Sequence, residues 1–189
     1  KREDAQAANR IATAVWIKIA QRAPLRISNL LCIDIDQHIL RSHAGKGAAV
    51  KLFIPATEVK NSKPLEVPLP AATVQLLEHY LDRHRKHLVD HPNSWLFPAR
   101  DGKRKNPNVM AKAIEKLMRE YLGFAINPHS FRHVAAKLFL SAHPGNYVDV
   151  QHLLGHKKLE TTIKYYCDLE AEEVFKHFDA ILLKLEQAN

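Results

Sequence analysis

The stretch NPHSFRHVAAKLFLSAHPGNYVDVQHLLGHKKLETTIKYYCD, Asn127 to Asp168, decides how the rest of the chain is read. It gathers His129, Arg132, His156 and the pair Tyr165 and Tyr166. On a helix advancing about 100° per residue, with His129 at zero, Arg132 falls at about 300° and Ala136 at about 340°; Phe131, Val134, Ala135 and Leu138 fall between about 140° and about 240°. The spacing predicts that the apolar face is buried. The opposite face then presents an imidazole and a guanidinium one turn apart, with the small Ala136 beside them leaving room for an anion. This helix is expected over about His129 to Ala142, and HPGN breaks it. A second helix follows from Tyr147 to Leu154, ended by Gly155 with His156 just beyond. A third, from Leu159 or Glu160 to Tyr166, carries the tyrosines.

Working outward, residues from Asp4 to about Arg22 place Ala8, Ile11, Ala12, Val15, Ile19 and Ala20 close to an i, i+3, i+4 rhythm, and Ala23 and Pro24 end that helix. A short helix is expected from Leu25 to Cys32, which sets Arg26 in the first turn. A cation is unfavourable there, so either the helix starts elsewhere or an anion sits in front of it. Between Ile33 and Leu69 the pattern alternates through Ile33, Ile35, His38 to Arg41, Val50, Leu52, Ile54, Val59, Leu65 and Val67, with turns at Gly45 and Gly47 and at Asn61, Ser62 and Pro64. A small antiparallel sheet of about three strands follows, with Lys60 entering the last hairpin and Lys63 across its turn.

Helix returns over residues 71–88, with Val74, Leu77, Leu81 and Leu88 inward and a basic face at Arg83 to His87. That face is either a solvated surface or a track for phosphates. In the loop after it, Trp95, Leu96 and Phe97 are expected to pack as a plug and Arg100 to Lys105 to form a mobile basic tip. A helix from about Pro107 to Leu122 is expected to turn Val109, Ala113, Ile114, Leu117 and Tyr121 inward, with Gly123 as its C-cap. The last helix, Glu170 to Gln187, is apolar enough to require a partner surface, on its own domain or a neighbouring protomer. The organisation expected is one compact domain over 1–189, mainly α with a small antiparallel β-sheet.

The 189 residues suffice for one good-sized core, and 46% hydrophobic with 25% charged residues is ordinary for a folded soluble protein. The charge is less ordinary: 28 Lys and Arg stand against 20 Asp and Glu, a net +8 that favours a polyanionic partner such as nucleic acid. Cys32 and Cys167 are far apart and lack zinc spacing, so they read as reduced thiols of a cytoplasmic protein, with no disulfide framework or structural metal. No apolar run approaches a membrane span and no signal peptide is visible. The charged start KREDAQAANR reads as though the chain begins inside something larger.

Singly, each candidate residue has a bland explanation: a surface histidine, a salt-bridging arginine, a half-buried tyrosine. Jointly, HSFRH at 129–133, LLGHKKLETTIKYY at 153–166 and PLRISNLLCIDID at 24–36 resemble the catalytic domain of tyrosine recombinases, the phage-integrase family. Three motifs coincide in order: an Arg in LRxSxLxxxDI, the box HxxRH, and LLGH followed nine residues later by Tyr. A fourth segment, VKNSKPLEVPL at 59–69, looks like the family's β-hairpin lysine segment. The resemblance spans about Ala8 to Asp168. Asn29 stands where many members carry an acidic residue, and nothing corresponds to the family's N-terminal core-binding domain.

The resemblance implies site-specific DNA recombination on double-stranded DNA: a tyrosine attacks phosphorus, a 3′-phosphotyrosyl link forms and a 5′-hydroxyl leaves and later reverses the step. Transesterification conserves the bond energy, so neither cofactor nor metal is expected. The implied catalytic set is Arg26, Lys60, His129, Arg132, His156 and Tyr165. The two arginines suit the nonbridging oxygens, the histidines supply donors and a proton acceptor, and Lys60 protonates the leaving oxygen. Lys63 stands in reserve for Lys60, and Tyr166 for Tyr165. A homo-oligomer on DNA, a tetramer joined through the C-terminal helix, is expected. Other readings are topoisomerase-like relaxation and a DNA-binding regulator that keeps the fold without strand exchange.

Overall fold

In a computed structural model, which describes residues 2–42, 49–58 and 64–166, the first helix α1 runs over Arg2–Ala20. Ala8, Ala12, Val15, Ile19 and Ala20 are buried along it as the apolar rhythm requires, joined by Trp16. The chain forms two compact units, Lys1–Arg132 and His133–Asn189. Lys60, Lys63, the glycines at 45 and 47 and the helix expected at 170–187 lie outside the described residues.

In the first unit α2 spans Ile27–Leu30 and α3 Ile35–His38, followed by β1 Ile39–Arg41, β2 Val50–Ile54 and β3 Leu65–Pro68. The strands pair antiparallel in the order β1-β2-β3, with Ile39 opposite Leu52 and Leu52 opposite Val67. Val50, Leu52 and Ile54 are buried and Lys51 is exposed, the alternation of a sheet with one face on the core. The expected sheet is therefore present, but Ile33 and Ile35 are not part of a strand. Asp34 caps α3 instead, its Oδ1 accepting from the Asp36 and Gln37 amides at 2.9 and 3.1 Å. Burial raises the Asp34 carboxyl, but hydrogen bonds from Ser94 and from those amides outweigh it and hold the group below its ordinary range.

Helix α4, Ala71–His79, passes into a π-helical turn at Tyr80–His84 and a 3-10 turn at Arg85–His87. Leu77 and Leu88 are buried as expected, and the Tyr80 hydroxyl donates to the Leu96 carbonyl at 2.8 Å. The basic face is smaller than the sequence implies. Arg85 turns back to the loop, with Nε donating to the Trp95 carbonyl at 3.0 Å and Nη2 to Asn93 Oδ1 at 2.9 Å. Burial and the neighbouring His79 and His87 lower the His84 pKa, which favours its neutral form. Leu96 and Phe97 are fully buried, in keeping with a packed plug.

Helix α5, Pro107–Leu122, is capped by Asn106, whose side chain accepts from the Asn108 amide at 2.8 Å, and ends at Gly123 with φ 80°. Its buried stripe is Met110, Ile114 and Leu117. Ile114 and Leu117 are buried as expected, but Val109 and Tyr121, also expected inward, are exposed: Met110 takes the first buried position, and Tyr121 accepts a hydrogen bond from Arg10 Nη2 at 3.2 Å.

Lys105 also departs from expectation. It is 7% exposed rather than part of a mobile tip, and its Nζ donates to Asn9 Oδ1 at 2.6 Å. Burial lowers its pKa from 10.5 to about 8. Between those values the unfolded chain keeps a proton that the native state has lost, so this group makes stability rise with pH from about 8 upward. Tyr80 acts oppositely above pH 10: burial keeps its phenol protonated in the native state while the unfolded phenol ionises. Comparing wild type with Lys105→Met removes the Tyr80 contribution. Denaturant unfolding from pH 7 to 10 should show wild type gaining about 2 to 3 kcal/mol on the variant. A difference that stays flat with pH would contradict the buried ammonium.

In the second unit the later part of α6 (Pro128–Ala142), α7 (Tyr147–Leu154) and α8 (Leu159–Tyr166) enclose a small core of Ala136, Leu140, Val150, Leu154 and Tyr166. No helix among the described residues is long and apolar enough to cross a membrane.

Candidate active site

Helix α6 is started by Asn127, whose Oδ1 accepts from the Ser130 amide at 3.0 Å, with Pro128 in the first helical position where a missing N–H costs nothing. That cap fixes the phase of His129, Phe131 and Arg132. Phe131 packs edge-on against the buried Trp16, ring centroids 5.8 Å apart at 84°, a geometry worth ~0.5–1.5 kcal/mol beyond area burial. Arg132 is 2% exposed, and its Nη1 donates to the Pro24 carbonyl at 2.6 Å. The bond ties the HxxRH box to a segment 108 positions away that ends in Arg26.

Arg26 is half-buried and extended, φ −62° and ψ 145°, and its carbonyl accepts from the Asn29 and Leu30 amides at 2.9 and 3.1 Å. The short helix thus begins after Arg26, not at Leu25. This removes the conflict of a cation inside the first turn, because the arginine stands at the cap of a helix too short to carry much dipole. His129 is exposed at the start of α6.

The predicted orientation of α6 holds at Phe131, which packs on Trp16, but is reversed further along. Val134 and Leu138, assigned to the core, are 54% and 68% exposed, whereas Ala136 and Leu140 are buried. A wheel separates two faces without saying which meets the core. Here the buried face is the one in line with Arg132, a guanidinium that tolerates burial by bonding a backbone carbonyl. The small side chain of Ala136 serves packing beside Leu140, Val150, Leu154 and Tyr166, not room for an anion.

In the second unit α7 closes through Gly155, φ 60°, with the His156 amide donating to the Gln151 carbonyl at 2.9 Å and Gln151 Nε2 donating to the His156 carbonyl at 3.2 Å. His156 is buried, and its Nδ1 lies 2.9 Å from Thr162 Oγ1. That hydroxyl was missed by sequence reasoning; the only signal was a threonine six residues past the histidine, at a spacing that carries no chemistry by itself. The tyrosines separate sharply: Tyr165 is 61% exposed, while Tyr166 is 2% exposed and its ring centre lies 5.6 Å from that of His133.

Thr162→Val keeps the volume and removes the hydroxyl, so the His156 ring loses the hydrogen bond at Nδ1. One hydrogen bond of about 1.4 kcal/mol corresponds to roughly tenfold in rate. If His156 takes part in chemistry, single-turnover DNA cleavage should slow about tenfold at near-unchanged melting temperature; an unchanged rate removes Thr162 from the site.

The sequence model of the Phage integrase family matches residues 2–173. Tyrosine recombinase XerC of Rickettsia prowazekii is 34% identical over 123 residues, 65% of this chain and 38% of that protein. XerC of Escherichia coli O127:H6 is 29% identical over 165 residues, 87% of this chain and 51% of its own length. The chain thus spans about half or less of the length of these curated relatives. Among solved structures, the XerH site-specific recombinase bound to difH substrate in a pre-cleavage complex aligns with TM-score 0.64 at 23% identity, over 84% of this chain and 44% of that one. The post-cleavage complex of XerH with a palindromic difH substrate gives 0.65 at 19% identity, over 94% of this chain and 51% of that one. These likenesses show the fold, a mostly helical arrangement with a small antiparallel sheet. By the extent of the family match, the chain belongs to the phage integrase family.

Proposed function

We propose that this chain is the catalytic domain of a tyrosine site-specific recombinase that cuts and rejoins double-stranded DNA through a 3′-phosphotyrosyl intermediate. The observation that carries the reading is the 2.6 Å bond from the buried Arg132 to the Pro24 carbonyl, which joins two of the motifs that define the expected site. In this reading Arg26 and Arg132 neutralise the nonbridging oxygens of the scissile phosphate as the pentavalent transition state forms. His129 donates to the same oxygens. His156 does so through Nε2 when the Thr162 hydroxyl donates to Nδ1, since the ring proton then resides on the outer nitrogen. Lys60 protonates the leaving 5′-oxygen, which requires its site to bring an ammonium pKa toward the working pH. Tyr165 attacks phosphorus; its exposure supports that choice over Tyr166.

The relatives named as recombinases and the XerH complexes with difH support double-stranded DNA as substrate. Assembly as a tetramer on DNA, through the C-terminal helix, is part of the same proposal. The test is covalent trapping on suicide duplexes taken from the DNA flanking the gene, nicked so that the short 5′-hydroxyl fragment diffuses away. A protein–DNA adduct that survives denaturing electrophoresis is expected; its absence on every such duplex, with binding intact, would leave a DNA-binding protein without strand exchange.

A further inference from the structure

The loop between Pro98 and Asn106, the end of the 3-10 turn and the start of α1 enclose a cavity of about 340 Å³ in the first unit. Asn9, His87, Arg100 and Lys105 line it together with apolar walls that include Leu88 and Val109, and no carboxylate contributes to the lining. Lys105 is the deepest of the charged groups, with one hydrogen bond, to the neutral Asn9 amide oxygen at 2.6 Å. An ammonium has three donors and no acceptor, so two hydrogens have no acceptor among the described residues. A buried cation ordinarily sits beside a carboxylate, because desolvation without a counter-charge is expensive. Arg100, exposed to solvent, adds a second cation to the same lining.

We propose that this cavity is a binding site for a small organic carboxylate, its head group against Lys105 and Arg100 and its apolar body against Leu88 and Val109. The volume is at the low end of small-molecule pockets, which suits a monocarboxylate of a single ring or short chain. A backbone phosphate has no apolar body to set against Leu88 and Val109, which argues against DNA as the occupant. The apolar walls argue against a bare inorganic ion. None of the residues lining the cavity is among the six of the recombination proposal, and the inference does not depend on it.

Benzoate is the probe, with benzamide as its neutral counterpart and inorganic phosphate as the anion lacking an apolar body. Titration of the whole chain, followed by calorimetry and by the NMR signals of the Lys105 ε-methylene, should show saturable 1:1 binding of benzoate. Benzamide and phosphate should bind at least tenfold more weakly. Lys105→Met should lose benzoate binding by at least tenfold, and Lys86→Ala, at an exposed lysine outside the cavity, should not. Val109→Trp, at an exposed position on the wall, fills the cavity with Lys105 in place and should also abolish binding. It keeps the test decisive if the lysine variant folds poorly. Benzoate that fails to saturate, binds no better than benzamide or phosphate, or binds Val109→Trp as well as wild type overturns the proposal.

Discussion

Tyr165→Phe is expected to leave no covalent protein–DNA adduct on a nicked suicide duplex, while Tyr166→Phe still forms one. The contrast rests on burial. Tyr165 is 61% exposed, so its loss of one hydroxyl should change stability by no more than about 0.5 kcal/mol and leave α8 in place. Tyr166 is 2% exposed in the small core with Ala136, Leu140, Val150 and Leu154. To attack a phosphate it would have to leave that core, since neighbours on a helix point about 100° apart. Extracting a side chain of this size costs ~1.5–3 kcal/mol in apolar burial alone, enough to slow attack by roughly tenfold to a hundredfold before chemistry begins. The nucleophile's loss is all-or-none, because no other group forms the phosphotyrosyl bond. The readout is the shifted band on a denaturing gel, with duplex binding measured in parallel. An adduct in Tyr165→Phe that vanishes in Tyr166→Phe would transfer the role to the buried residue.

The fold was legible where local chemistry settles it. Gly123 and Gly155 at the helix ends mark α5 and α7 because the left-handed conformation is decided by neighbours in sequence. The alternation through Val50, Leu52 and Ile54 marked a strand for the same reason. Residues whose environment is set by distant parts of the chain were not legible. Lys105 sits in a basic run that reads as a loop tip, yet its partner Asn9 is 96 positions away. Arg85 belongs to a run that reads as a phosphate track, yet it holds the loop at Asn93 and Trp95. The orientation of α6 failed because Val134 and Leu138 form the more apolar stripe while the buried stripe holds an arginine. Hydropathy cannot anticipate that Arg132 satisfies itself on the Pro24 carbonyl.

The same division applies to the candidate site. Arg26, His129, Arg132, His156 and the tyrosines were named from a resemblance to family motifs, and the Arg132–Pro24 bond joins Arg132 to the segment that carries Arg26 in the first unit. Two of their partners had no sequence signal: the Pro24 carbonyl, a backbone atom, and Thr162, a small polar residue in a helix. Both bond a candidate site residue, and such contacts depend on three-dimensional placement more than on residue type.

Arg132→Lys is the second decisive substitution, because the proposed function gives Arg132 two tasks that a lysine cannot combine. Its guanidinium is a planar fork of five donors, of which Nη1 bonds the Pro24 carbonyl. Lysine has the charge but only a point of donors, so it can reach the carbonyl or the phosphate, not both. Loss of a preorganised donor to a developing oxyanion costs about 2.7–4 kcal/mol, so cleavage should fall by roughly 10²–10³. If the lysine turns to the phosphate instead, the lost bond to Pro24 should lower stability by ~1.5–3 kcal/mol, which a denaturant midpoint detects. Arg26→Lys separates the two effects: the Arg26 side chain makes no cap hydrogen bond, so that variant should lose cleavage at unchanged stability. Adduct formation and unfolding measured on both variants decide between catalysis and support. If Arg132→Lys cleaves within about threefold of wild type but unfolds more easily, Arg132 is a strut that holds residues 24–26, and the transition-state cradle must be built from other groups.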